Sequence, residues 1–361
     1  MTAGIIPLYN LGGVDWPDSQ AIYHAQAHQG QPGLNILWPL QPYVCIGRFQ
    51  DLEAEIDLQE CQRRGLPIVR REVGGGAVYL DAGQVFYQLV LPRQWLAATY
   101  DYRWLFRQGL DAVALALKRM GINANVRGAN DVAVGRRKIS GNGAGEVGQA
   151  AVVVGNILLR FDYEAMAAVL RVPDEKFRDK AYHSMRDNLV TLEELGQRPS
   201  NEQVADMLAQ AFSETLPAGL AAQPAAALPA DVAALLPETA ARLTAADWLD
   251  EVHRERERRR LRIRQGLEMR EQLWKAPGGL LRCHCAIDSQ GGAPRLTWVS
   301  LSGDFFVHPA AALGELEQAL TGVPLAQVKE VAARFLAQPG VALPGVRPED
   351  IEHLLLPGGT A

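Results

Sequence analysis

The chain predicts an α+β protein in two parts, and three features of its pattern carry that expectation. Short β-like runs punctuated by glycine alternate with amphipathic helical stretches as far as residue 214. An Ala/Pro-rich passage, 216–237, then interrupts them, with little to bury and few charges. Beyond residue 276 a strand–turn–strand succession and two helical stretches suffice for a small α+β domain of their own. At 361 residues the chain exceeds one ordinary core, so two domains are expected, 1–250 and 255–361.

Taken in order, residues 16–30 predict a helix, with Pro17 where a first turn tolerates proline and Gly30 as its stop. Leu34–Trp38 and Tyr43–Gly47 read as a strand pair joined by the turn Pro39–Pro42 and closed by Arg48–Asp51. Residues 52–64 read as helix, ending at Gly65. The β-like run at Leu66–Val69 delivers Arg70 and Arg71 toward a triple glycine, Gly74–Gly76. Strand-like Ala77–Leu80 and Gln84–Leu91 come next. The apolar spacing of Leu105, Leu110, Val113, Leu117 and Met120 predicts a helix over 101–120. Two short strands meeting at Gly135 carry Asn130-Asp131 and Lys138, and 151–161 is β-rich. Helical stretches are expected at 162–171, 190–195 and 201–214. Asp247–Lys275 reads as one long charged helix, followed by strands at 280–287 and 296–301 and helices near 309–321 and 324–337.

Bulk composition narrows the function class. Hydrophobic residues at 48%, charged residues at 21% and a net charge of -5 describe a soluble globular protein without generic nucleic-acid affinity. No apolar run reaches bilayer-spanning length, and MTAGIIPLYN lacks the basic start and apolar core of a signal peptide. Four cysteines form no disulfide framework, so a cytoplasmic protein is expected. The arginine run at 254–264 is diluted by glutamates and reads as a solvated helix, with an acidic partner as the second choice.

Three constellations could carry chemistry. Consecutive glycines let backbone amides approach an anion, and the arginines beside them supply matching charge, which makes RREVGGG a candidate phosphate or carboxylate cradle. Lys138, within GRRKISGNGAG, is a candidate point charge for a reacting phosphoryl or acyl group, and Asn130-Asp131 on the paired strand offers an amide and a carboxylate to a metal ion or nucleotide. The glycines at 143, 145 and 148 match GxGxxG, but the β-branched residues that follow argue for a strand rather than a dinucleotide site. Cys283-His284-Cys285 lacks the four ligands of a structural zinc and, on a strand, would turn its histidine away from its thiols.

LW-x6-IGRFQD (Trp38 to Asp51), RREVGGGAVYLDAGQ (Arg70 to Gln84) and ND-x6-KISG (Asn130 to Gly141) occur together in the order and spacing of the lipoate–protein ligases, which the chain therefore resembles over roughly residues 1–250. The C-terminal part, with KAPGGLL at 275–281 and SGDFF at 302–306, looks like the accessory domain of those enzymes. The resemblance implies a catalytic domain of the biotin/lipoate-ligase type, with mixed or antiparallel sheets flanked by helices, and a cytoplasmic monomer. It implies that ATP, with Mg²⁺, activates lipoate or a similar medium-chain acid as an acyl-adenylate. The acyl group then passes to a lysine of a lipoyl-acceptor protein, a lipoyl domain or a GcvH-like carrier. On this resemblance Lys138 is the catalytic residue. Arg71, Gly74, Gly75, Gly76, Ala77, Val78, Tyr79, Asn130, Asp131 and Lys138 contact ATP or the adenylate. Trp38, Val44, Arg71, Val73, Gly76, Lys138 and Gly141 contact lipoate, and Asp131 holds the Mg²⁺.

The chain departs from the family's pattern at Val73, where a serine is usual, at Leu80 for histidine, at Gln84 for asparagine, and at Asn142-Gly143-Ala144 after KISG. Val153-Val154-Gly155 replaces the family's HHG. These changes point to a divergent ligase dedicated to one specialised lipoyl protein. Two alternatives are an octanoyl or lipoyl transferase that needs no ATP and uses a cysteine nucleophile, and a non-catalytic lipoyl-binding module. No DNA-binding domain is visible.

Overall fold

The computed structural model describes residues 4–97, 102–171, 175–217, 220–254, 267–290 and 292–356. Its contacts divide the chain into two compact units. The first comprises Met1–Cys45, Glu55–Val73 and Val78–Leu249; the second comprises Ile46–Ala54, Gly74–Ala77 and Asp250–Ala361. The second unit thus takes in two short stretches that a linear division at residue 250 leaves with the first.

The first unit is built on an eight-stranded mixed sheet. Its strands are β1 (Gly4–Val14), β2 (Gly33–Pro39), β6 (Gln84–Pro92), β7 (Asn125–Arg127), β8 (Asp131–Val134), β9 (Arg137–Val147), β10 (Ala150–Leu158) and β11 (Leu220–Pro224), in the order β11-β1-β2-β6-β10-β9-β8-β7. β1 runs parallel to β2 and β11; the pairs from β2 outward to β7 are antiparallel. A small sheet of β3 (Tyr43–Ile46), β4 (Ile68–Arg70) and β5 (Val78–Leu80), in the order β4-β3-β5, carries the RREVGGG segment.

All nine residues of β6 are buried, because helices cover both faces of the sheet. Gln88 donates to the Ser19 carbonyl of helix Asp18–His28 (2.6 Å) on one face. Its neighbour Tyr87 packs on Phe212 of helix Asn201–Thr215 and abuts Gly109 of helix Tyr102–Arg119 on the other. Helix Tyr102–Arg119 buries Leu105, Leu110, Val113 and Leu117 as their spacing predicts.

Several expected elements differ. The strands at 34–38 and 43–47 do not pair: β2 lies between β1 and β6, and β3 pairs with β5. Pro39 and Pro42 bring no N–H to the connection, so a hairpin ladder has no start there. The helix over 52–64 is two short ones, Leu52–Glu55 and Leu58–Arg64; Asp57 breaks it by accepting the Glu60 N–H (3.0 Å) as a cap. Residues 190–195 are a turn, and the helix is instead Glu175–Asn188. The Ala/Pro-rich passage forms β11 and helix Ala230–Thr244, its proline at 237 accommodated within the helix. The first strand, Gly4–Val14, has no counterpart in the sequence reading.

The second unit has an antiparallel sheet of β12 (Glu268–Ala276), β13 (Gly279–Asp288) and β14 (Arg295–Gly303), with helices Ala312–Leu320, Val328–Leu336 and Pro348–Leu355. Residues 268–275, rich in helix formers, are a strand because nine paired positions with β13 outweigh intrinsic propensity. The arginine run beyond Arg254 lies outside the described residues. Cys283 and Cys285 are buried in this unit's core, and His284 alternates to the other face of β13. Phe49 joins that core, stacked on Phe305 with centroids 5.7 Å apart.

Candidate active site

The two arginines of RREVGGG do different work. Arg70 is completely buried, and its guanidinium donates to the carbonyls of Trp248 (2.9 Å) and Leu249, while Trp248 Nε1 returns a hydrogen bond to the Arg70 carbonyl (2.7 Å). Arg70 therefore braces β4 against helix Ala246–Leu249 rather than offering charge to a ligand. Arg71 is half-buried beside Cys45, with Nη1 3.4 Å from the Cys45 carbonyl and 3.5 Å from Sγ.

Glu72 fixes the same segment from the other side. Its carboxylate receives His28 Nε2 (2.9 Å) and Arg242 (2.5 Å), and its N–H donates to His24 Nε2 (3.1 Å). Burial alone would raise the Glu72 carboxyl, but the His28 hydrogen bond and the Arg242 charge hold it at about 2. Burial lowers the His24 imidazole to about 4. It is neutral, with Nδ1–H on the Gln20 carbonyl (2.7 Å) and Nε2 accepting from Glu72.

Lys138 lies on β9 next to a bulge: Val132 pairs with Ser140 but Ala133 with Lys138, leaving Ile139 extra. A bulge of this kind re-aims the neighbouring side chain. The Lys138 chain folds back over Gly141, with Cε and Nζ 2.8 and 2.9 Å from where a Gly141 Cβ would stand, and its ammonium reaches Asp131 Oδ1 at 2.7 Å. Asp131 is the cross-strand partner of Gly141. Only glycine at 141 leaves room for this pose.

Gly141, Gly143 and Gly145 fall on one face of β9 by strand alternation and present bare backbone there. Lys138 covers the Gly141 end. At the Gly145 end the buried Val73 methyls lie 3.9 Å from the Cβ position of Gly145. The apparent GxGxxG is thus strand and turn, as the β-branched residues after it predict. Asn156, also on this face, accepts the Gly141 N–H (3.0 Å) and donates to Gln84 Oε1 (2.7 Å); Gln84 Nε2 donates to the Tyr79 carbonyl (3.0 Å). Gln84 therefore links the β5 backbone to β9 through Asn156.

Other expected site residues are placed as follows. Val44 is buried opposite Tyr79 across β3 and β5. Val78 is 37% exposed and Tyr79 buried. Trp38 alternates to the face of β2 away from Leu37 and Phe86, and the structure does not bring it to the glycine face of β9. In the second unit, Gly75 takes a positive φ of 93° and donates its N–H to the Phe305 carbonyl (3.0 Å). A Cβ at Gly74 would stand 2.6 Å from that oxygen, and one at Gly76 3.4 Å from Asp304. The triple glycine thus allows a close backbone approach by Asp304–Phe306, and the Gly75 N–H is committed to it. Ala77 closes this stretch, half-buried.

A cavity of about 660 Å³ in the first unit opens beside Tyr79, Phe161, Tyr163 and Tyr182, with Asp81 and Asp162 on its rim. Burial lifts the Asp81 carboxyl above its ordinary range, and neighbouring Asp162 adds to the effect. Among the described residues no cluster of three or more His, Cys, Asp or Glu could hold a metal, and no helix is long and apolar enough to cross a membrane. Sequence reasoning missed Tyr87, Asn156 and the aromatic cavity. Isolated glycines inside a helix (Gly109) and a strand (Gly155) are the signals that mark a close approach at Tyr87.

The lipoyl protein ligase A/B catalytic domain matches residues 18–213. Lipoate-protein ligase A subunit 1 of Thermoplasma acidophilum is 32% identical over 207 residues, 55% of this chain and 77% of that protein. Lipoate-protein ligase A of Psychrobacter cryohalolentis is 27% identical, and the match spans 57% of its length. Octanoyltransferase LipM of Kyrpidia tusciae is 28% identical over 58% of this chain and 82% of its own. Among solved structures, the archaeal bipartite lipoate protein ligase studied with its E2 lipoyl domain, from T. acidophilum, is 27% identical with a TM-score of 0.60, covering 69% of this chain and 97% of that one. The lipoate complex of LipL1 from P. falciparum shares the fold at 16% identity, with a TM-score of 0.62 over 94% of this chain and 95% of that one.

Proposed function

This chain belongs to the lipoyl protein ligase A/B catalytic-domain family, and we propose that it is an ATP-dependent lipoate–protein ligase. In the first step the lipoate carboxylate attacks the α-phosphorus of ATP, forming the acyl–phosphate bond as pyrophosphate leaves. In the second, the amine of an acceptor lysine attacks the acyl carbon, and AMP leaves as the amide forms. The acceptor is a lipoyl domain or a GcvH-like carrier.

The observation that carries this reading is the Lys138 ammonium held over Gly141 at the end of the bare β9 face. Three alternating glycines spanning roughly 13 Å of strand give an acyl chain a surface without side chains, and Lys138 meets its carboxylate end. Val73, where the family's pattern has serine, makes the other end apolar. The carboxylate's attack develops negative charge on the α-phosphoryl oxygens, which Lys138 and Arg71 stabilise. Lys138 then polarises the anhydride carbonyl as a point charge and makes no covalent bond. The aromatic cavity at Tyr79 suits the adenine ring, with Asp81 and Asp162 as acceptors for its amino group. One carboxylate, Asp131, fits a Mg²⁺ that would take its remaining oxygens from phosphates and water and would neutralise phosphate charge.

One observation favours a second reading. A relative is an octanoyltransferase, and Cys45 lies against Arg71. On that reading an octanoyl group moves from a carrier to the acceptor through Cys45 without ATP. Lipoate-dependent exchange of labelled pyrophosphate into ATP decides between them. The ligase catalyses it, and Lys138→Ala lowers it by roughly a hundredfold or more. Transfer without ATP that Cys45→Ala abolishes sinks the ligase reading. With neither activity, the chain is a lipoyl-binding module.

A further inference from the structure

Opposite the glycine face, one rung of side chains crosses three strands and ends at the turn before β8. Tyr87 on β6, Gly155 on β10 and Asn142 on β9 are in register, Gly155 pairing with both neighbours. Because Gly155 has no Cβ, the Tyr87 hydroxyl reaches across it and donates to Asn142 Oδ1 at 2.5 Å. A Cβ on Gly155 would stand 2.1 Å from that oxygen and 2.8 Å from the Tyr87 hydroxyl. A Cβ on Gly109 would stand 2.0 Å from the same hydroxyl. Two glycines on two different elements thus make way for one hydrogen bond. Tyr87 is fully buried, and burial raises its phenol so that it stays protonated and donates.

From Asn142 the rung continues to Asn130. Asn142 donates to the Asn130 carbonyl twice, through its N–H (3.0 Å) and its Nδ2 (2.9 Å), and Asn130 Nδ2 donates back to the Asn142 carbonyl (3.2 Å). Three hydrogen bonds therefore fasten the residue that precedes Asp131. Strand alternation then turns Asp131 to the other face of the sheet, where its carboxylate meets Lys138.

We propose that Tyr87 and Asn142 are positioning residues for Lys138, acting through Asn130 and Asp131. Neither reaches the glycine face; they fix the end of β8 and so the place where the ammonium rests. The consequence for activity rests on the ligase reading given above, whereas the geometric claim does not.

The test uses the full chain with Tyr87→Phe and Asn142→Ala. Tyr87→Phe keeps the ring and removes only the oxygen. Leu208→Ala, a core change in helix Asn201–Thr215, is the stability control. Acylation of Lys138 by a soluble succinimidyl ester, followed by peptide mass spectrometry, reports how firmly the ammonium is held. Exposed Lys118 is the internal reference. Both variants should label Lys138 several-fold faster than wild type with Lys118 unchanged, and Leu208→Ala should not. In pyrophosphate exchange, kcat should fall roughly ten- to a hundredfold, with KM for ATP and lipoate held. In a Lys138→Ala background, Asn142→Ala should cost nothing further. Unchanged Lys138 labelling in both folded variants overturns the proposal, whatever happens to kcat. Faster labelling in a protein without exchange activity leaves the positioning role standing and removes the ligase reading instead.

Discussion

Arg70 and Arg71 are adjacent and alike in charge, and burial separates their tasks. Arg70→Ala removes the donor from two half-buried carbonyls and opens a void, so we expect a stability loss of roughly 2–4 kcal/mol in urea unfolding. Arg71→Ala should cost less than about 1 kcal/mol while lowering pyrophosphate exchange severely. Equal stability losses in the two variants would contradict this division. Acid sensitivity is argued at the same scale. His24 is neutral when folded, lowered to about 4 from 6.5 by burial, so the unfolded chain binds the extra proton between those values. Its contribution, about 3 kcal/mol, is present above pH 6.5 and lost as pH falls toward 4. Glu72, depressed to about 2, adds a second loss below its ordinary value of 4.5. Denaturant midpoints should therefore drop between pH 7 and pH 4.5, and His24→Gln should flatten that decline.

Among the elements, the same substitution has opposite signs in two helices. Gly314 of helix Ala312–Leu320 has open space where a Cβ would go, so Gly314→Ala should stabilise by about 0.5–1 kcal/mol through helix propensity. Gly109 of helix Tyr102–Arg119 enjoys the same propensity gain but faces the Tyr87 hydroxyl, so Gly109→Ala should destabilise by about 1–3 kcal/mol. Thermal melts of the two variants check both signs, and a stabilised Gly109→Ala would show that Tyr87 yields freely. Helix Ala230–Thr244 and helix Ala246–Leu249 are likewise more than a connection. They supply Arg242 to Glu72 and two carbonyls to Arg70, which sets the strand before the triple glycine.

At the scale of the whole molecule, the chain re-enters its second unit twice before the C-terminal part begins. Phe49 stacks on Phe305, Gly303 donates to the Phe49 carbonyl (2.9 Å), and Gly75 donates to the Phe305 carbonyl. A fragment ending at residue 249 therefore leaves 46–54 and 74–77 without these partners. We expect limited proteolysis of that fragment to cut within those two stretches, and addition of 250–361 in trans to protect them. Cleavage elsewhere, with these stretches resistant, would show that they fold independently of the C-terminal part.

Local chemistry was legible from residue order: the glycine stop at Gly65, the buried side of helix Tyr102–Arg119, the strand after KISG, and the family, because RREVGGG and KISG record short-range geometry. The sequence also shows Asp131 and Lys138 on paired strands, since a turn of few residues leaves little freedom, although Asn130 stands in the turn just before β8. Tertiary structure alone decided the rest. That β2 and β3 belong to different sheets, that 268–275 is a strand, and that Arg70 is a brace all depend on partners far away in the chain. The Tyr87–Asn142–Asn130 rung depends on register across three strands, where two missing methyl groups, at Gly109 and Gly155, open a path to one hydroxyl. No periodicity in a single segment encodes that path, because it exists only once three strands and a helix have been stacked.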